Sequence, residues 1–149
     1  MISVVIPLYN EEENIPQLSR RLNEATKNWK DDVEVVLVND GSSDRTEVML
    51  NEIALADDKY QIIHFSRNFG HQSAISAGIK KAEADYVVFL DVDLQDPPEL
   101  IKEMFEKIIS SNSNIIYAQR NKSNENFIKK TTSSLFYKIF NILSEIKIL

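Results

Sequence analysis

Short β-branched runs alternate with stretches in which apolar residues recur every three or four positions, and the alternation continues over most of the 149 residues. This is the pattern of a parallel sheet covered by helices, because the return between two parallel strands needs a crossover long enough to hold a helix. Strands are expected near 2–6, 33–39, 60–65, 85–90 and 114–118. Between the first two, Ile15, Leu18, Leu22, Ala25 and Trp29 mark one apolar helix face. A second helix is expected to open near Ser43 or Asp44, turn Met49, Leu50 and Ile53 inward and end at Asp57-Asp58. A third covers about 71–82. The fourth begins at Pro97-Pro98, where a first helical turn tolerates proline because its missing N–H would have had no partner, and buries Leu100, Ile101, Met104, Phe105 and Ile108.

The 43% hydrophobic content is sufficient for a core in a chain of this length, and no linker or internal repeat divides it. With no cysteine, a disulfide framework and a thiolate zinc site are both excluded. Met1 runs directly into Ile2-Ser-Val-Val-Ile6, which is too short for a secretion signal, and no apolar run approaches the roughly 20 residues of a membrane span. Cytoplasmic placement is therefore expected. Charge is unevenly spread: residues 1–119 hold 11 Lys/Arg against 21 Asp/Glu, a balance of −10, whereas residues 120–149 hold 6 against 2, a balance of +4. The acidic part argues against nucleic acid as a partner, and the basic tail is suited to an anionic surface.

Parallel topology brings the carboxyl ends of the strands to one edge, where open α/β sheets bind ligands, and each predicted strand ends in a polar cluster. The most informative is Phe89-Leu-Asp-Val-Asp-Leu-Gln-Asp-Pro-Pro-Glu99, an apolar strand followed by two carboxylates one residue apart. Such a pair suits magnesium, which takes one or two carboxylates and completes its shell with water and substrate phosphates. A solvated acidic turn would read the same way. Pro7-Leu-Tyr-Asn-Glu-Glu12 ends the first strand, with Pro7 expected to force the chain out of the ladder and Tyr9 offering a face for stacking. Asn39-Asp-Gly-Ser-Ser-Asp44 ends the second; Asp40 could accept hydrogen bonds from a base or ribose, and capping alone explains Asp44 equally well. Tyr9 and Asp40 are both expected to face solvent. In Ser66-Arg-Asn-Phe-Gly-His-Gln72, Arg67 suits a phosphate or a loop-holding role. Gly41 and Gly70 sit where positive φ is plausible, and Gly78, inside a helix pattern, suggests tight helix packing. His64, within a strand pattern, is expected to be a core or surface histidine, and His71, at the start of a helix beside Gly70, is a lesser candidate for a ligand contact.

Taken in order, Val4-Val-Ile-Pro-Leu-Tyr-Asn-Glu-Glu-Glu13, Val38-Asn-Asp-Gly-Ser-Ser-Asp-Arg-Thr46, Ser66-Arg-Asn-Phe-Gly-His71 and Leu90-Asp-Val-Asp-Leu-Gln-Asp-Pro-Pro-Glu99 resemble a family 2 glycosyltransferase. More narrowly, they are similar to the polyprenyl-phosphate glycosyltransferases, which include dolichol-phosphate mannose synthase and undecaprenyl-phosphate glucosyltransferases. The resemblance covers essentially the whole chain. It implies an α/β fold of GT-A type, a mostly parallel Rossmann-like sheet with helices on both faces, in which Mg²⁺ or Mn²⁺ bridges a nucleotide-sugar to the Asp-x-Asp motif. Pro7, Tyr9, Glu11, Val38 and Asp40 fall on the family's nucleotide contacts, as do Asp91 and Val92, with Arg120 as a donor-binding arginine. Asp91, Asp93 and Gln95 fall on the metal motif. Val92 replaces the usual Ala, which alters pocket volume and not ligation.

The activity so implied is inverting transfer of a sugar, by family prior glucose from UDP-glucose, to a polyprenyl phosphate. The alternatives are a soluble family 2 enzyme that elongates a saccharide and a nucleotide-binding fragment without transfer activity. No catalytic base is identified. Because the family continues well past this length, the resemblance implies a donor-binding domain over 1–120 followed, over 121–149, by the basic amphipathic start of an acceptor-side, membrane-proximal portion. In that segment Phe127, Ile128, Leu135, Phe136, Ile139, Phe140, Leu143 and Ile146 fall at near-helical spacing among lysines, which suits either a helix packed on the sheet or on the rest of the protein, or an interfacial amphipathic helix. A peripheral place on the cytoplasmic membrane face follows as an expectation, and oligomerisation is left open.

Overall fold

The computed structural model describes residues 1–27, Trp29, 33–93, 95–111 and 113–119. The chain divides into two compact units, Met1–Ile116 and Tyr117–Leu149. The first unit alternates strand and helix as the pattern predicts: β1 (Ile2–Leu8), α1 (Ile15–Thr26), β2 (Val33–Asn39), α2 (Thr46–Ala56), β3 (Tyr60–His64), α3 (His71–Lys81), β4 (Tyr86–Phe89) and α4 (Leu100–Ser110). The strands form one parallel sheet in the order β3-β2-β1-β4. Because β1 has β2 on one side and β4 on the other, the chain changes its direction of winding between β1 and β4. That is the switch point at which α/β sheets open a crevice.

Side chains alternate across a strand, and here both faces are apolar. Ile2, Val4, Ile6 and Leu8 of β1 and Val35 and Leu37 of β2 pack with Ile15, Leu18 and Leu22 of α1, Leu50 of α2 and Ile101 of α4. The opposite face, with Val5, Val36 and Val38, is packed against Ala74 of α3. Gly78 makes this approach possible. A Cβ there would lie 2.2 Å from Val5 Cγ1 and 3.3 Å from Val38 Cγ2, so the tight packing expected of this glycine is what the fold uses.

At the amino ends of the strands, a clamp holds the sheet from the far side. Buried Glu34 accepts hydrogen bonds from Ser3 Oγ, from Gln61 Nε2 (3.0 Å) and from the Glu83 amide (2.6 Å), which satisfies a carboxylate that would be costly to bury unpaired.

Three expectations need correction. Residues 114–118 form no strand, and Ile115 and Tyr117 are 81% and 80% exposed. Their β-propensity describes fitness for a pleated surface, and no ladder partner in the described sheet takes them up. The second helix starts at Thr46, later than Ser43 or Asp44, because Asp44 accepts the Thr46 amide (3.0 Å) and the residues before it are bonded to the β1 loop. The fourth starts at Leu100; Pro97 and Pro98 form the preceding turn, whose carbonyls accept the Leu100 and Ile101 amides, and Leu100 itself is 37% exposed.

Candidate functional site

The ladder between β1 and β4 stops early. Pairing ends at Val5 and Phe89, followed by one bond from the Leu90 amide to the Val5 carbonyl (3.2 Å), whereas β1 continues along β2 as far as Leu8 and Asn39. Leu8 bonds toward β2, accepting the Asp40 amide at 2.8 Å, so its neighbour Pro7 turns its backbone toward β4. Pro7 therefore does not expel the chain from the sheet, as the sequence suggested. Its missing N–H falls where β4 has already left, and the ladder is lost on that side only. Between the diverging ends of β1 and β4 lies a cavity of about 450 Å³.

The rim is built from loops that hold one another. Asn10 has φ +56, a left-handed conformation that asparagine tolerates better than other side chains with a Cβ. Its amide donates to Ser42 Oγ (2.9 Å) and its side-chain oxygen accepts the Ser43 amide (2.8 Å). The bonding continues along the loop: Glu11 N–H to Thr46 Oγ1 (2.9 Å), Glu12 N–H to Asp44 Oδ2 (3.2 Å) and Arg45 N–H to Glu12 Oε2 (2.9 Å). Burial acts against the charge on Asp44, yet the bonds from Thr46 and Glu12 outweigh it and hold the carboxyl below its usual range. This interlock leaves Tyr9 on the rim, 46% exposed.

Asp40, only 3% exposed, is not a solvent-facing strand end. Its two oxygens accept the amides of Phe69 (2.7 Å) and Gly70 (2.9 Å), so the carboxylate at the end of β2 holds the loop that follows β3. Gly41 lets these loops meet, since at φ +68 a Cβ would come within 2.3–2.7 Å of the Arg67 backbone. Arg67 lies over the Phe69 ring at 4.2 Å, in accord with the loop-holding role. His64 is structural: Nδ1 faces Asn39 Nδ2 (3.1 Å) and Nε2 faces Asn51 Oδ1 (3.0 Å).

On the β4 side, Asp91 and Asp93 reach the cavity with Val92, 6% exposed, tucked between them in the core. Asp93 Oδ1 accepts the Gln95 amide (3.0 Å), closing a short turn, and His71 Nε2 lies 3.8 Å from Asp91 Oδ1. Both aspartates are exposed and hard-oxygen in character. Among the described residues no cluster of three or more His, Asp or Glu forms a ready-made cage. Two exposed carboxylates without a cage fit an ion that keeps waters and substrate phosphates in its shell, as Mg²⁺ does, and do not fit a closed structural site.

Of the residues marked by the sequence, the fold brings Pro7, Tyr9, Glu11, Asp40, Asp91, Val92 and Asp93 to one cavity. It places Val38 in the core against α3 and Gln95 outside the cavity lining. Arg120 and the segment 121–149 lie outside the described residues. The cavity is also lined by Asn68 and Gly70, in the loop between β3 and α3, and by His71, the first residue of α3, which the sequence offers as a lesser ligand candidate.

Comparison with known proteins agrees with this geometry. Residues 3–148 match the profile of Glycosyl transferase family 2. The chain is 46% identical over 147 residues to "Uncharacterized glycosyltransferase YkcC" of Bacillus subtilis (strain 168), covering 98% of this chain and 45% of that protein. It is 38% identical over 147 residues to the "Bactoprenol glucosyl transferase" of Shigella phage SfV, covering 99% and 48%. The chain thus spans about half the length of these curated relatives. Among solved structures, glucosyl-3-phosphoglycerate synthase from Mycobacterium tuberculosis, in complex with Mn²⁺, UDP and glucosyl-3-phosphoglycerate, superposes with a TM-score of 0.58 at 25% identity, over 75% of this chain and 40% of that one. With its parallel α/β sheet of GT-A type and the family profile matched from near one end to the other, the chain belongs to glycosyl transferase family 2.

Proposed function

We propose that the cavity binds the nucleotide portion of a nucleotide-sugar, and that the whole protein transfers the sugar, glucose by analogy with its bactoprenol-glucosylating relative, to a polyprenyl phosphate. The observation that carries this reading is the meeting of an exposed aromatic ring, Tyr9, with the paired carboxylates Asp91 and Asp93 at the split between β1 and β4. Tyr9 would stack on the base, and Glu11 and Asp40 also line the cavity. Asp91 and Asp93 would hold Mg²⁺ or Mn²⁺, with Gln95 as a further metal contact and Arg120 as a donor-binding arginine. Bound there, the ion would neutralise charge on the leaving diphosphate.

The acceptor chemistry agrees with the residues present. A phosphate monoester, with a second pKa of about 6, is already anionic near neutrality and needs no general base. A saccharide hydroxyl would need one; of the described carboxylates that line the cavity, Asp91 and Asp93 are on the metal side, Asp40 already accepts two backbone amides, and Glu11 is the remaining one. The basic balance of 120–149 suits an anionic membrane surface on the cytoplasmic side, where such an acceptor presents its phosphate.

Titration calorimetry with UDP, in Mn²⁺ and in chelator, tests the donor site. Binding should depend on the metal, because acidic strand ends otherwise repel a diphosphate, and Asp93→Asn should abolish the metal-dependent part. Equal affinity with chelator would overturn the reading.

A further inference from the structure

We propose that His71 is a positioning residue for Asp91, holding that carboxylate toward the cavity from across the β1–β4 split; this rests on the donor-site reading above. His71 Nε2 and Asp91 Oδ1 are 3.8 Å apart, and both side chains are more than half exposed, at 55% and 59%. Neither is packed in a way that would fix it by itself. Asp91 follows β4, a strand of four residues whose last ladder bond is made by the Leu90 amide. The strand is at the sheet edge in the described residues, so the backbone that carries Asp91 is supported from one side.

His71, by contrast, is anchored at both backbone ends. Before it, the Phe69 and Gly70 amides are held on the two oxygens of buried Asp40, at 2.7 and 2.9 Å. Gly70 turns there with φ +95, and a Cβ at that position would meet nothing within 4 Å, so the glycine is needed for the backbone conformation and not for space. After it, α3 is set against the sheet by Gly78, close to Val5 and Val38. The end of β2 therefore aims an imidazole from the start of α3 at the carboxylate beyond β4. At 3.8 Å the two are in contact without a hydrogen bond; an imidazole that closes on the carboxylate would restrict the rotamers of a ligand before it binds an ion, the role that outer partners of metal-binding carboxylates play elsewhere. Ligation by His71 itself is not favoured, because Mg²⁺ and Mn²⁺ suit carboxylate, water and phosphate oxygens.

The test is calorimetric titration of UDP into the full 149-residue chain, its His71→Ala and its His71→Gln variants, each in Mn²⁺ and in chelator. The readout is the ratio of the two affinities. His71→Ala should lower the ratio about tenfold, and His71→Gln, whose amide N–H can donate to a carboxylate, should restore most of it. A ratio in His71→Ala within about twofold of wild type, against the tenfold effect expected of an outer partner, overturns the proposal. So does a loss of equal size in chelator, which would mark a direct contact with the nucleotide. Wild type with no metal-dependent binding overturns the donor-site reading instead, and the proposal with it.

Discussion

Tyr9 and Asp40 line the same cavity, yet they should respond to substitution in opposite ways. The Tyr9 ring stands on the rim at 46% exposure, outside the core, so Tyr9→Ala should leave the melting temperature within a degree or two while weakening UDP binding by about 1–3 kcal/mol, the usual worth of a base stacked on an aromatic ring. A melting temperature far below wild type would make Tyr9 structural. Asp40 is 3% exposed and satisfies two amides of the neighbouring loop. Asp40→Ala leaves both donors short of a partner, at about 1–3 kcal/mol each if they stay buried, and should lower stability before any ligand is added. Thermal melts of the two apo variants check this difference. Sequence pattern marked both positions as polar residues at strand ends. It could not separate them, because burial depends on which loop folds over which, and that is a matter of contacts between residues about 30 positions apart.

Loops and helices here are located by close approaches that only glycine permits. Gly41→Ala would set a methyl group against the Arg67 backbone in a left-handed conformation, and backbone cannot step aside as a side-chain tip can. The expected cost is on the order of 2–3 kcal/mol, with nucleotide affinity lost together with stability, measured by denaturant unfolding and by UDP titration. Unchanged stability would show that the loops separate freely and that the interlock is incidental. Gly78→Ala should cost less. The added methyl group meets the Val5 side chain, and the gain in helix propensity, about 1 kcal/mol, offsets part of the overpacking. The alternating pattern made most elements legible, with ends shifted by a few residues where a loop bond took over, as at Asp44 and Thr46. It overreached at 114–118, where strand-forming residues lie exposed without a ladder.

Across the whole molecule, the start of α4 is tied to α1 by a two-pronged pair, Arg21 Nε to Glu99 Oε1 at 3.2 Å and Nη2 to Oε2 at 2.7 Å. The bond from Arg21 holds the Glu99 carboxyl below its usual range, against a smaller opposing effect of burial. A carboxyl whose folded pKa is depressed contributes stability that is fully present above its unfolded pKa and lost as pH falls through the folded one. Arg21→Ala should therefore destabilise the protein near neutrality by at most about 1 kcal/mol, given that the pair is at the surface, and the difference from wild type should shrink at acid pH. Melts across pH 2–7, with a difference that stays constant, would reject this assignment. No helix among the described residues is long and apolar enough to cross a membrane. The proposed surface association rests on the basic balance of 120–149, and co-sedimentation with phosphatidylglycerol vesicles should be strong at low salt, fall as salt rises and vanish on deleting 121–149. Recovery entirely in the supernatant at low salt would refute it. What the sequence determined by itself is local or repeated: the order of strands and helices, a parallel sheet, the cluster of polar strand ends and the paired carboxylates, all of which follow from periodicity and from the covalent spacing of neighbours. The tertiary structure alone decided where the ladder between β1 and β4 opens, that Asp40 faces inward to hold a loop, and that His71 meets Asp91. The first depends on the direction in which Pro7 turns its missing donor and the other two on strand order and on which loops meet, quantities that no spacing along the chain encodes.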